Sequence, residues 1–129
     1  MFKSKKNLDA RAQRSRDALL KSGLALLNSN KEASLSEIAT HANVGRATLY
    51  RQFETREQLV KEIAIYCLKS LDKACEPIDK KAKSAVDAIR LMFEYTLPLN
   101  QELQFLMQLD SLTEDDPVSY THLTLPTNA

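Results

Sequence analysis

Ser34–Leu59 reads SLSEIATHANVGRATLYRQFETREQL, a stretch that starts and stops its own helices. Ser34, followed three residues later by Glu37, is a capping box. The hydroxyl accepts from an early backbone NH while the carboxylate reaches back to the cap's own NH, so a helix starts at about Leu35. Leu35, Ile38, Ala39 and Ala42 recur at helical steps and form an apolar face, leaving Ser36, Glu37, Thr40 and His41 on the other. The helix ends near Ala42, because Asn43 tolerates the left-handed conformation and Gly45 can take angles closed to a branched residue. Val44 can plug the angle between this helix and the next. From Arg46 to Phe53 a second helix buries Leu49 and Phe53 and turns Arg46, Ala47, Thr48, Tyr50, Arg51 and Gln52 toward solvent. Thr55 and Gln58 form another capping box that opens the following helix.

Two short capped helices around a tight turn make a helix-turn-helix, in which the outward side of the second helix enters a DNA groove. Arg46 and Arg51 are the first-choice readers, since the guanidinium fork matches guanine's major-groove acceptors. The bland alternative is a pair of solvated helix charges. Ser36 and Arg56 stand at the starts of the second and fourth helices, where backbone NH groups favour anions, and read as phosphate clamps. For Ser36 a plain surface role stays open. His41 has no partner at ligand spacing, so no metal site is expected, and Ile38, Leu49 and Phe53 are structural.

These residues resemble the N-terminal domain of TetR-family transcriptional regulators. The resemblance extends back through Arg16, Leu19, Leu20, Ser22, Gly23, Leu26 and Leu27, and covers roughly the first half of the chain. Two departures stand in the turn: Asn43 where the family usually has Gly, and Gly45 where it often has a capping Ser. The resemblance implies an all-α protein: a three-helix DNA-binding domain, a long linking helix and a helical regulatory domain. It implies that Thr48, Tyr50 and Gln52 contact phosphates and position the helix, with Tyr50 either stacking or half buried. It also implies a partly palindromic double-stranded operator, a small-molecule effector and a homodimer for the intact protein. The dimer helices are expected beyond the last residue of this chain, so dimerisation of the chain itself is not expected.

Charge agrees with a DNA partner. The net charge is only +1, yet residues 1–61 hold twelve Lys and Arg against six Asp and Glu, and residues 62–129 hold six against eleven. The first part carries +6 and the second −5, and local charge governs attraction to phosphates. At 129 residues with 43% hydrophobic content the chain suits one ordinary helical core. It has no apolar run long enough to span a membrane and no signal peptide, and reads as a bacterial cytoplasmic protein. Cys67 and Cys75 lie eight residues apart on one expected helix, about 12 Å and too far to bridge.

Outward from the reader, Met1–Asn7 is a basic tail in which Lys3, Lys5 and Lys6 either brush the duplex or stay solvated. A first helix runs from about Leu8 to Leu27, and mid-helix Gly23 implies close packing, because it costs about 1 kcal/mol against Ala. A fourth helix from Arg56 to Glu76 buries Leu59, Val60, Ile63, Cys67, Leu71 and Ala74 before Pro77 stops it. Ala82, Val86, Ile89, Met92, Phe93 and Leu97 mark the buried stripe of a fifth helix, and Leu103, Phe105, Leu106, Met107 and Leu109 a shorter sixth. The Met and aromatic residues here are either core or the wall of an effector pocket. From Pro117 onward PVSYTHLTLPTNA has no charge and no helical period, and reads as a non-native or disordered tail. The expected division is a reader over 1–54, an incomplete regulatory domain over 55–116 and the tail over 117–129.

An enzyme is not expected: there is no phosphate-cradling Gly-rich loop, no Ser, His and Asp arrangement in a recognisable context and no paired carboxylates with a base. No cofactor is expected either. The reading is a sequence-specific DNA-binding regulator, a ligand-released repressor, against an alternative in which the helices form a protein-interaction module with a vestigial reader.

Overall fold

The computed structural model describes residues 5–112, and every regular element in that range is helical. The order is α1 (Lys5–Ser29), α2 (Leu35–Ala42), α3 (Arg46–Gln52), α4 (Arg56–Cys75), α5 (Ile78–Lys81), α6 (Ala85–Thr96), a 3₁₀ turn (Leu97–Leu99), α7 (Asn100–Met107) and α8 (Leu109–Leu112). The expectation of a tail after Pro117 lies outside the described residues, as do Met1–Ser4.

α2, α3 and α4 start where their caps place them. The Ser34 hydroxyl accepts from the Glu37 NH at 3.1 Å and the Glu37 carboxylate accepts from the Ser34 NH at 3.3 Å, completing the box. The second box is only half built: Thr55 accepts from the Gln58 NH at 3.1 Å, but the Gln58 carbonyl reaches past the cap to the Glu54 NH at 2.7 Å. One cap was not read from the sequence. Ser84 accepts from the Asp87 NH, and Asp87 accepts from the Lys83 NH, starting α6 at Ala85. That backbone bond, with the Arg90 guanidinium beside it, lowers the Asp87 pKa.

A continuous apolar core joins the two ends of the described chain. Leu19, Leu20, Leu24 and Leu27 of α1 meet Ile38 and Ala39 of α2, Leu49 and Phe53 around α3, and Leu59, Val60, Ile63, Ala64 and Cys67 of α4. Phe105 of α7 and Leu112 of α8 belong to the same cluster, so the chain after residue 54 seals the core of the part before it. Fully buried side chains of this size contribute about 1.5 to 3 kcal/mol each. Close packing at Gly23 is present, chiefly against α4. A Cβ there would stand 2.6 Å from Ile63 Cδ1 and 3.7 Å from Ile38 Cγ2.

The stripe expected to be buried on the fifth helix faces outward. In α6 the buried residue is Leu91, while Val86, Ile89, Met92 and Phe93 are exposed, as is Leu97 in the turn that follows. Periodicity finds an apolar stripe but not what covers it, and α6, which packs against α4 and α5, buries Leu91 instead. Met107 is likewise exposed. Among the described residues, no helix is long and apolar enough to cross a membrane.

Candidate nucleic-acid interface

The turn that presents α3 is closed by backbone bonds. Asn43 sits at φ 58° and ψ 43°, and among the described residues it alone of the non-glycines has positive φ. Its NH donates to the Thr40 carbonyl at 3.1 Å and the Val44 NH to the Ala39 carbonyl at 2.9 Å, the paired bonds of a Schellman motif. Val44 packs against the core beside them. Gly45, expected to need unusual angles, does not: it is extended at φ −68°, and a Cβ there would meet nothing within 4 Å. It caps α3 without any side-chain hydrogen bond.

Leu49 and Phe53 anchor α3 in the core, with Phe53 as an extended C-cap rather than a helical residue. That leaves Arg46, Ala47, Tyr50 and Arg51 exposed, with Tyr50 at 44%. Among the described residues neither Arg46 nor Arg51 has a hydrogen-bond or ion-pair partner, so both guanidinium groups stay available to a ligand. Thr48 is half-buried at the edge of the same side.

Two of the expected site residues are committed elsewhere. Gln52 faces α1: its Nε2 donates to the Ala12 carbonyl at 3.1 Å and its Oε1 accepts from Arg16 Nη1 at 3.4 Å. Arg56, expected as a phosphate clamp, donates instead to three carbonyls. Nε reaches Ala33 at 3.1 Å, Nη1 reaches Leu112 at 2.9 Å, and Nη2 reaches Lys31. A planar fork with its NH groups so engaged is a strut between the loop before α2 and the end of α8. Ser36 is exposed on α2, and its carbonyl accepts from the Thr40 hydroxyl at 2.9 Å.

Shallow clefts flank α3 on both sides. The one toward α2, about 270 Å³, is lined by Ser36, Ala39, Thr40, Val44, Arg46 and Leu49. The one toward α1, about 520 Å³, is lined by Asp9, Arg11, Ala12, Ser15, Thr48, Arg51 and Gln52. Arg11 and Ser15 were not singled out in the sequence. The signal was their i, i+4 spacing on α1, but only the fold shows that this face lies beside α3.

Behind α3, Arg16 connects three helices. Its Nη2 is 2.8 Å from Glu62 Oε2 of α4, its Nη1 donates to Gln52 of α3, and its guanidinium lies 4.8 Å from the centre of the Phe53 ring. No group of three His, Cys, Asp or Glu side chains able to hold a metal occurs among the described residues. His41 is exposed on α2.

Residues 30–63 match the sequence model of a family described as bacterial regulatory proteins, tetR family. Over 103 residues the chain is 28% identical to the HTH-type transcriptional repressor LfrR of Mycolicibacterium smegmatis, an alignment covering 80% of this chain and 54% of that protein. The chain thus spans about half the length of the curated relative it matches. No solved structure gives a significant match.

Proposed function

We propose, proceeding from the chain's membership of the TetR family of bacterial regulatory proteins, that it is the reading part of a repressor that occludes a promoter and lets go when a small molecule repositions α4. DNA binding and transcriptional regulation follow from the family; the ligand-released mechanism is our reading. The observation that carries it is the pair of exposed guanidinium groups of Arg46 and Arg51, without partners among the described residues, on a helix whose other side is locked into the core. Arg16 supports the release step, because its bonds to Glu62 of α4 and Gln52 of α3 give a shift of α4 a direct route to the reader.

By role, residues 1–54 read DNA and residues 55–116 begin the regulatory body, although the two share one core. Arg46 and Arg51 contact bases, Ala47 lines the groove, and Thr48, Tyr50 and Ser36 contact phosphates. Gln52 and Arg56 hold α3 and its neighbours in place, so their contribution to binding is indirect. The intact protein is proposed to grip a partly palindromic operator as a homodimer.

Selection of bound duplexes from a random pool tests the reading. The wild-type chain should enrich one short motif, and Arg46→Ala and Arg51→Ala should each cost about 1 to 3 kcal/mol on it and relax preference at one base pair. Equal affinity for every duplex, or no loss in either variant, argues against it. A second reading, a helical interaction module with a vestigial reader, draws on the exposed Val86, Ile89, Phe93 and Leu97. It calls for a stable protein complex together with no enrichment of any duplex.

A further inference from the structure

We infer that the cleft between α1 and α3 is a second backbone-phosphate site, in which Arg11 and Ser15 of α1 and Thr48 of α3 grip one wall of the groove that α3 enters, beside the base-reading Arg51. It rests on the DNA-reading proposal and assigns to α1 a contact that the helix-turn-helix alone would not supply.

An α-helix with its side chains is about 10 to 12 Å across and B-DNA's major groove is about 12 Å wide, so a helix seated in the groove nearly fills it. Anything bound to that helix's flank must therefore meet the phosphate wall. α1 is bound to the flank of α3 by the Gln52 side chain, which donates to the Ala12 carbonyl. Arg11 is the residue next to that anchor, its Cα about 3.8 Å away along the chain. The cleft holds Arg11 and Arg51, both exposed and without a partner among the described residues, together with the hydroxyls of Ser15 and Thr48. The Arg11 fork and the two hydroxyl donors suit a phosphodiester, which offers charged oxygens and no donor, and Arg51 is left to the bases. Asp9 stands on the same lining and opposes the charge. The smaller cleft toward α2 likewise sets hydroxyls, those of Ser36 and Thr40, beside a reading arginine, Arg46.

A phosphate contact is independent of sequence, so binding of the 129-residue chain to a short random-sequence duplex is the assay, followed by fluorescence anisotropy between about 50 and 200 mM salt. Arg11→Ala should weaken binding roughly equally on all duplexes and reduce the salt slope by about 0.9. Asp9→Asn should strengthen it. Arg14→Ala removes the same charge from an exposed position outside the cleft and should change the slope less. An unchanged slope in Arg11→Ala, or an equal loss in Arg14→Ala, overturns the inference while leaving the reader intact. Failure of the wild type to bind any duplex overturns the reader and the inference together. Competition by inorganic phosphate beyond that of chloride at equal ionic strength, with no effect of Arg11→Ala on DNA binding, assigns the cleft to a small anion instead.

Discussion

Two residues show how position, not type, decides what a charged or reactive side chain does. Arg56 opens α4, where a guanidinium is expected to meet phosphate, yet it serves three carbonyls of its own chain. Charge-assisted bonds of this kind are worth about 1.5 to 3 kcal/mol where water is excluded. Arg56 is partly exposed, so Arg56→Ala should lower stability by about 2 kcal/mol in urea unfolding. Arg56→Lys should recover little, because an ammonium is a point donor rather than a fork. Cys67 is fully buried, and that desolvation, with Glu102 adding to it, pushes its thiol from 9.0 to about 12. The thiol is neutral in both states below about pH 9, so its contribution is fully present there; above that the unfolded chain ionises first and stability falls until about pH 12. At about pH 10 the loss should be about 1.4 kcal/mol relative to neutral pH, and Cys67→Ala should abolish this part of the alkaline dependence. An alkaline urea series in which both proteins fall alike would contradict the assignment.

Among the elements, α1 and α4 cross at Gly23 with Ile63 against it. Gly23→Ala gains about 1 kcal/mol of helix propensity but pushes a methyl into a buried side chain, an overpacking that costs about 1 to 3 kcal/mol. The single variant should be neutral to destabilised, and combining it with Ile63→Val, which removes the clashing Cδ1, should show a favourable coupling of about 1 kcal/mol in a double-mutant cycle. Strict additivity would mean that the two helices simply slide apart. What the sequence discloses about elements follows from this local-versus-distant distinction. α2, the turn and α3 are legible because Ser34, Glu37, Asn43 and Thr55 write their instructions within a few residues of where they act. The outward turn of the α6 stripe, the Gln52 bond to α1 and the Arg56 strut are not, since each depends on a partner between 23 and 56 residues away or on which neighbour arrives to pack. The exposed side of α3 was thus visible in advance, whereas the cleft that α1 forms beside it needed the fold.

Across the whole molecule, charge and apolar surface are divided. The basic portion presents the reader, while the acidic portion carries α6 with Val86 at 77%, Phe93 at 59% and, in the following turn, Leu97 at 67% exposure. Because these side chains are largely exposed among the described residues, Phe93→Gln with Leu97→Gln should leave the urea midpoint within about 0.5 kcal/mol of wild type. The same pair should cut the binding of a hydrophobic dye to the folded chain. A large drop in stability would mean that this face is packed in solution. The Arg56 strut also imposes a timetable. Its acceptor at Leu112 is synthesised 56 residues after the guanidinium that seeks it, so on the ribosome the loop before α2 and the start of α4 must wait, incompletely braced, until that distant carbonyl emerges from the exit tunnel. A nascent chain of this kind completes its brace late, after most of the described fold has already left the ribosome.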